Sequence, residues 1–201
     1  MTTVVFDGVT LAADSQRSRG AGSSTGERHC LHCKEPVNAT ASFVEKLQVP
    51  KKPVNFEGER VVAVATAGTV NLTQGILHAI FTEMDLNVAI DLLKATTTEG
   101  QSLPTGTVLV LTKESFFEVK MGIKHKFTVK KITKFPYFAG SGADVARCGM
   151  EMLGLDAAKA VQLARQYDKA TGGEVRYIAR KGKVKTIPVD AKVETNFSRG
   201  E

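Results

Sequence analysis

The residue at the start of this chain that could do chemistry is Thr2, directly after Met1 and followed by Thr3. Removal of Met1 would leave Thr2 with a free α-amine beside its own hydroxyl. A threonine hydroxyl is a weak nucleophile until a neighbouring base takes its proton. An α-amine, with a reference pKa near about 8, is neutral at pH 7 far more often than a lysine amine. One residue can then supply both nucleophile and base. Thr2 is otherwise simply a small residue after the initiator.

That chemistry needs an amino terminus held in place, and the next residues supply it. Val4 to Phe6 and Val9 to Ala13 are short apolar runs flanking Asp7-Gly8. Asp-Gly between β-formers signals a hairpin, because glycine tolerates the positive φ of a tight turn. The second strand ends on Asp14, where a side chain can reach a site. Further along, Ser42 to Val49 alternates and reads as a strand carrying Lys46. Arg60 to Ala67 is almost continuously apolar, as in a strand buried on both faces, and runs through Thr66 into Gly68 and Thr69. Pro50 to Gly58 between them is a turn-rich connection.

Leu72, Ile76, Ile80 and Phe81 follow helical spacing. Val88, Ile90, Leu92 and Leu93 make a second helical segment, with Asp85 and Asn87 as break and cap. Strands follow at Thr107–Leu111, Phe116–Met121 and Phe127–Ile132. Phe138-Ala139-Gly140-Ser141-Gly142 opens a last helical region, with Ser141 suited to cap a helix over Ala143–Leu153. A second helix begins at Asp156 and reaches about Ala170. It gives way through Asp168, Thr171, Gly172 and Gly173 to a strand over Glu174–Ile178, which pairs with Lys183–Ile187. Strands, then helices, then strands and helices again suggest sheets lying between helical layers.

Composition narrows the classes. The 201 residues suffice for one well-cored domain; 42% are hydrophobic and 24% charged, as in ordinary globular proteins. No apolar run reaches membrane-spanning length, and the amino terminus lacks the pattern of a signal peptide. These features predict a cytoplasmic protein with no membrane partner. The net charge of +6 is spread through lysines that alternate with apolar residues between Lys113 and Lys134. Such spacing reads as the solvent face of strands, and no nucleic-acid motif accompanies it.

Three cysteines, Cys30, Cys33 and Cys148, argue against a disulfide framework. Cys148 falls in a helical pattern and reads as a small buried apolar residue. Cys30 and Cys33, with His29 and His32 interleaved, have the spacing of half a zinc site. A second ligand pair is not visible, so a surface loop or a redox-active pair stands beside the metal reading. The cluster follows the Gly/Ser-rich stretch Arg19–Glu27, a loop by composition.

The motifs taken together resemble proteasome β-type subunits and the bacterial peptidase HslV. The carrying stretches are Thr2-Thr3-Val4-Val5, Leu11-Ala12-Ala13-Asp14-Ser15, Thr66-Ala67-Gly68-Thr69, Gly140-Ser141-Gly142 and Asp168-Lys169-Ala170-Thr171-Gly172-Gly173. The resemblance runs in order through the chain except about residues 19–41, which read as an insertion in a single domain. It implies an α+β fold, the four-layer α-β-β-α sandwich of amino-terminal-nucleophile (Ntn) hydrolases, and threonine-type peptidase activity without cofactor. It assigns attack to Thr2, tuning to Asp14 and Lys46, the oxyanion N–H to Gly68, and the surroundings of the amine to Ser141, Asp168 and Thr171. Thr171 stands where the family usually has serine. Ser18, Thr66 and Thr69 would line up substrate. The implied partners are copies of the chain in stacked rings, a separate ATP-dependent unfoldase, and a peptide or unfolded-protein substrate. A different class of function keeps the scaffold without proteolysis, as an assembly or interaction protein. A third is a small-molecule amidase of the same fold.

Overall fold

Asp7 closes the first hairpin by folding its side chain back on the turn. Its Oδ1 accepts the N–H groups of Val9 at 2.8 Å and Thr10 at 2.6 Å, and Gly8 takes the positive φ of 101°. In the computed structural model, which describes residues 2–17, 42–43, 45–68, 70–95, 106–121, 127–168, 170–191 and 193, this hairpin joins β1 (Thr3–Phe6) to β2 (Thr10–Asp14). The following elements are β3 (Gln16–Arg17), β4 (Ser42–Phe43), β5 (Leu47–Gln48), β6 (Asn55–Phe56), β7 (Glu59–Gly68), α1 (Val70–Phe81) and α2 (Leu86–Ala95). Then come β8 (Gly106–Thr112), β9 (Phe116–Met121), β10 (Phe127–Lys131), β11 (Tyr137–Gly140), α3 (Ala143–Leu153), α4 (Ala157–Tyr167), β12 (Val175–Ala179) and β13 (Lys185–Ile187).

The fold is mixed α+β with antiparallel sheets. One sheet has the order β11-β1-β2-β12-β13, the other β10-β9-β8-β7-β5, and β3 pairs with β4 apart from both. Period-two alternation sorts the side chains between packing surfaces. Val4, Phe6, Leu11 and Ala13 of the first sheet meet Ala63, Ala65, Leu109, Leu111 and Phe116 of the second in one buried cluster. The intervening Val5 and Ala12 turn to α3 and α4, packing on Ala146, Ala160, Val161 and Ala164. Val108, Val110 and Val119 of the second sheet turn to Leu72, Ile76 and Ile80 of α1. A fully buried Val or Leu of this kind contributes about 1.5–3 kcal/mol.

Four elements depart from the sequence expectations. Ser42–Val49 is not one strand: Ser42–Phe43 pairs with Gln16–Arg17, whereas Leu47–Gln48 pairs with β7. The change of partner leaves Lys46 just before β5, its carbonyl accepting the Thr66 N–H at 2.9 Å. The Pro50–Gly58 connection contains β6, which turns into β7 through Glu57 and Gly58, both at positive φ. Tyr137–Gly140 is a strand on β1, not the opening of a helix, and the residue before α3 is Gly142 rather than Ser141. Cys148 is exposed on α3 rather than buried. Asp156 caps α4 as expected, accepting the Lys159 N–H at 2.8 Å, but the helix stops at Tyr167.

Candidate active site

β1, β2, β11 and the turn before β12 converge on the amino terminus. Asp14 ends β2 with 1% exposure. Its Oδ1 accepts the Thr3 N–H at 2.8 Å, its Oδ2 accepts the Gly172 N–H at 3.1 Å, and both oxygens lie 3.0 Å from Lys46 Nζ. Asp14 thus fastens three separate pieces of chain with one carboxylate. Burial pushes the Lys46 amine below its ordinary value, while the charge and hydrogen bonds of Asp14 pull it back up.

A second polar cluster adjoins the first. Thr171 Oγ1 donates to Asp168 Oδ2 at 2.6 Å, and Ser141 Oγ donates to the same oxygen at 2.7 Å. Thr3 Oγ1 lies 2.5 Å from Thr171 Oγ1. A hydroxyl has one proton to give. With the Thr171 proton committed to Asp168, Thr3 is the donor in that pair, and the chain runs Thr3 to Thr171 to Asp168. For Asp168, burial works to raise the carboxyl; the Thr171 and Ser141 hydroxyls, the Ala170 N–H and the amino-terminal charge outweigh it and hold the group below its ordinary value.

Thr2 is 3% exposed, and its carbonyl accepts the Ser141 N–H at 2.9 Å. Two glycines make this approach possible. A Cβ on Gly140, whose φ is 97°, would fall 1.6 Å from the Thr2 carbonyl oxygen. One on Gly142 would fall 2.2 Å from Thr3 Oγ1 and 2.8 Å from Thr171 Oγ1. Gly142 therefore leaves room for the threonine that stands at 171, itself buried.

The structure thus joins Asp14 to Lys46, and Ser141 and Thr171 to Asp168, with Thr3 bonded to both clusters and the Thr2 carbonyl bonded to Ser141. Gly68 ends β7 at a φ of 111°, opposite Gly106, and Thr66 is buried two residues before it. Ser18, Thr69, Cys30 and Cys33 lie outside the described residues, where the metal, redox and loop readings of the two cysteines also fall. Among the described residues no group of three or more His, Cys, Asp or Glu could hold a metal ion. No helix of the described residues is long and apolar enough to cross a membrane.

Sequence reasoning missed Thr3, Gly142 and Gly172 as parts of this site. The signal for Thr3 was its register: on a strand it points away from the side taken by Thr2. The glycines were read as part of a helix opening and a helix end, and their second use, letting chains approach, needs a partner that sequence does not show.

No family model matches the chain, and no curated protein matches it. Solved structures do. The helical assembly of the Anbu complex from Pseudomonas aeruginosa aligns at a TM-score of 0.62 and 11% identity, over 95% of this chain and 88% of that one. Anbu from Hyphomicrobium sp. strain MC1 aligns at 0.57 and 15% identity, over 95% and 89%. Anbu (ancestral beta-subunit) from Yersinia bercovieri aligns at 0.55 and 12% identity, over 94% and 88%. At these identities the likeness is one of fold. It corrects the resemblance to HslV and proteasome β-type subunits: the structural neighbours are Anbu proteins, proteasome-like but a distinct family.

Proposed function

We propose that this chain is a subunit of a homo-oligomeric, proteasome-like assembly, and that Thr2, freed of Met1, is the nucleophile of an amide-hydrolysing site. Its frame is a single four-layer α-β-β-α domain with an insertion at about residues 19–41. The observation that carries the catalytic part is the buried pair of Asp14 and Lys46, tied through Thr3 to the Thr171–Asp168–Ser141 cluster. A buried ion pair is not a device for stability alone. The pair holds Thr3, the residue next to Thr2 in the chain, and a positive charge and a fixed carboxylate near the amino terminus suit the activation of the Thr2 hydroxyl.

In the proposed reaction the Thr2 hydroxyl attacks the scissile carbonyl and its own α-amine takes the proton. The Gly68 N–H stabilises the oxyanion as charge develops. The amine returns the proton to the leaving group, and water then releases the acyl-enzyme. Lys46 favours the neutral amine and the developing alkoxide. Ser141, Asp168 and Thr171 hold the amine, and Thr66, Thr69 and Ser18 align substrate. No cofactor is required. The chain has no phosphate-binding loop motif, so an unfoldase that feeds the assembly is a separate ATP-dependent protein.

The alternative is an assembly or interaction protein without peptidase activity. It draws on the likeness to Anbu, one of whose structures is a helical assembly, and that likeness supports assembly more than catalysis. Intact mass after exposure to a threonine-directed β-lactone or epoxyketone separates the two. Loss of Met1 with one adduct, absent in Thr2→Ala, is the outcome expected of the hydrolase. Retained Met1 with no adduct leaves the assembly protein.

A further inference from the structure

At the opposite end of the sheets from Asp14 lies a cavity of about 390 Å³. It opens where β7 begins, where β8 ends and where β12 gives way to its turn. Register places it: Thr10 pairs with Ala179 and Val61 with Thr112, whereas Asp14 pairs with Val175 and Gly68 with Gly106. From Thr66, which bonds to Lys46, back to Arg60 is six residues, or roughly 20 Å of strand. The cavity is therefore separate from the candidate active site.

Its lining includes six cations, Lys51, Lys52, Arg60, Lys113, Arg180 and Lys181, and no carboxylate; the rest is valine, proline and glycine. Among the described residues, Lys51, Lys52, Arg60, Lys113 and Lys181 form no ion pair. Arg180 is built in. Its Nη1 donates to the Thr112 and Ser115 carbonyls at 2.8 and 3.0 Å, and its guanidinium lies 5.4 Å from the Phe6 ring centroid. That leaves Nε–H and Nη2–H, two sides of the planar fork, for another acceptor. Glu59, the carboxylate that acts on Arg180, is already engaged by Thr112, Ser115 and Lys131.

We propose that this cavity is a binding site for a compact polyphosphate group. Six like charges around one concave space repel each other, and a multivalent anion relieves all of the repulsion at once. Phosphate fits better than carboxylate on two counts. It packs several charges into a volume of this size, and it matches the fork of a fixed arginine bidentately.

The test is isothermal titration of the full chain at constant ionic strength with inorganic tripolyphosphate, magnesium-free ATP, orthophosphate and a triglutamate peptide. Tripolyphosphate should bind saturably, one per chain, and more tightly than orthophosphate or triglutamate. The double variant Lys51→Gln/Lys52→Gln, on an exposed loop, should weaken it at least about ten-fold. Lys120→Gln/Lys130→Gln, equal in charge but elsewhere, should change it little. Arg60→Gln, which removes a side chain with no ion pair, checks the loop variant independently. Equal binding of ATP and tripolyphosphate would show that phosphate alone is read; tighter ATP binding would make the ligand a nucleotide. Unsaturable binding, equal weakening in both double variants, or preference for triglutamate would overturn the proposal.

Discussion

Asp14 holds β1, Lys46 and the Gly172 turn at once, so its removal strands several groups together. Asp14→Ala leaves a buried ammonium and the Thr3 and Gly172 N–H groups without this acceptor. The expected loss of stability at neutral pH is about 3–5 kcal/mol by urea denaturation. The pH dependence identifies the cause. Burial already holds the Lys46 amine below its reference value of 10.5, opposed by Asp14. Without Asp14 it falls further. A lysine whose folded pKa is depressed binds fewer protons folded than unfolded over the interval up to 10.5, so stability rises with pH there. The deficit of Asp14→Ala relative to the natural chain should therefore shrink as pH rises from neutral toward 10.5. A deficit constant across that range would mean that lost packing, not a stranded charge, sets the cost. Asp14 and Lys46 were both legible as candidates, one at a strand end and one in an alternating run. Their pairing was not, because the intervening chain says nothing about which strand Lys46 approaches.

At the scale of elements, β11 determines how the amino terminus is seated. Thr3 pairs with Gly140 and Phe6 with Tyr137, so the first strand is held from one side by this short strand and from the other by β2. In sequence, Tyr137–Gly140 is four residues before a helix, too short for a period of two to stand out, and its Gly-Ser-Gly end reads equally well as a helix opening. The helix patterns of α1 and α4 were plain because each spans several repeats of its own period, and the β1–β2 hairpin was plain from its Asp7-Gly8 turn. Ser42–Val49 failed for another reason: its alternation is real, but alternation does not reveal a change of pairing partner. Two glycine substitutions separate local strain from close approach. Gly58 sits at a φ of 76° with nothing within 4 Å of where a Cβ would stand, so Gly58→Ala should cost only about 1–2 kcal/mol. Gly140→Ala adds a collision with the Thr2 carbonyl to a similar strain, and should cost about 3 kcal/mol or more. It should also expose the Thr3 amide to hydrogen exchange, while Gly58→Ala leaves that amide protected. Equal costs for the two would mean that β11 does not hold the amino terminus.

For the whole molecule, the two ends of the sheets carry opposite kinds of site: a buried, internally satisfied polar cluster around Asp14, and an open cationic cavity around Arg180. The proposed assembly would place contacts between copies over some of the exposed large apolar side chains, among them Met152 at 79%, Tyr167 at 68% and Val9 at 65%. Sedimentation velocity at about 10 µM should therefore give a mass several times the 21.6 kDa of one chain. Thr2→Ala should sediment identically, because an assembly of this kind would rest on exposed surfaces and Thr2 is buried. A single species at the mass of one chain would remove the assembly from both functional readings and favour an open site acting alone. A large species from the natural chain that dissociates in Thr2→Ala would tie assembly to processing of the amino terminus, making removal of Met1 the step that commits the subunit.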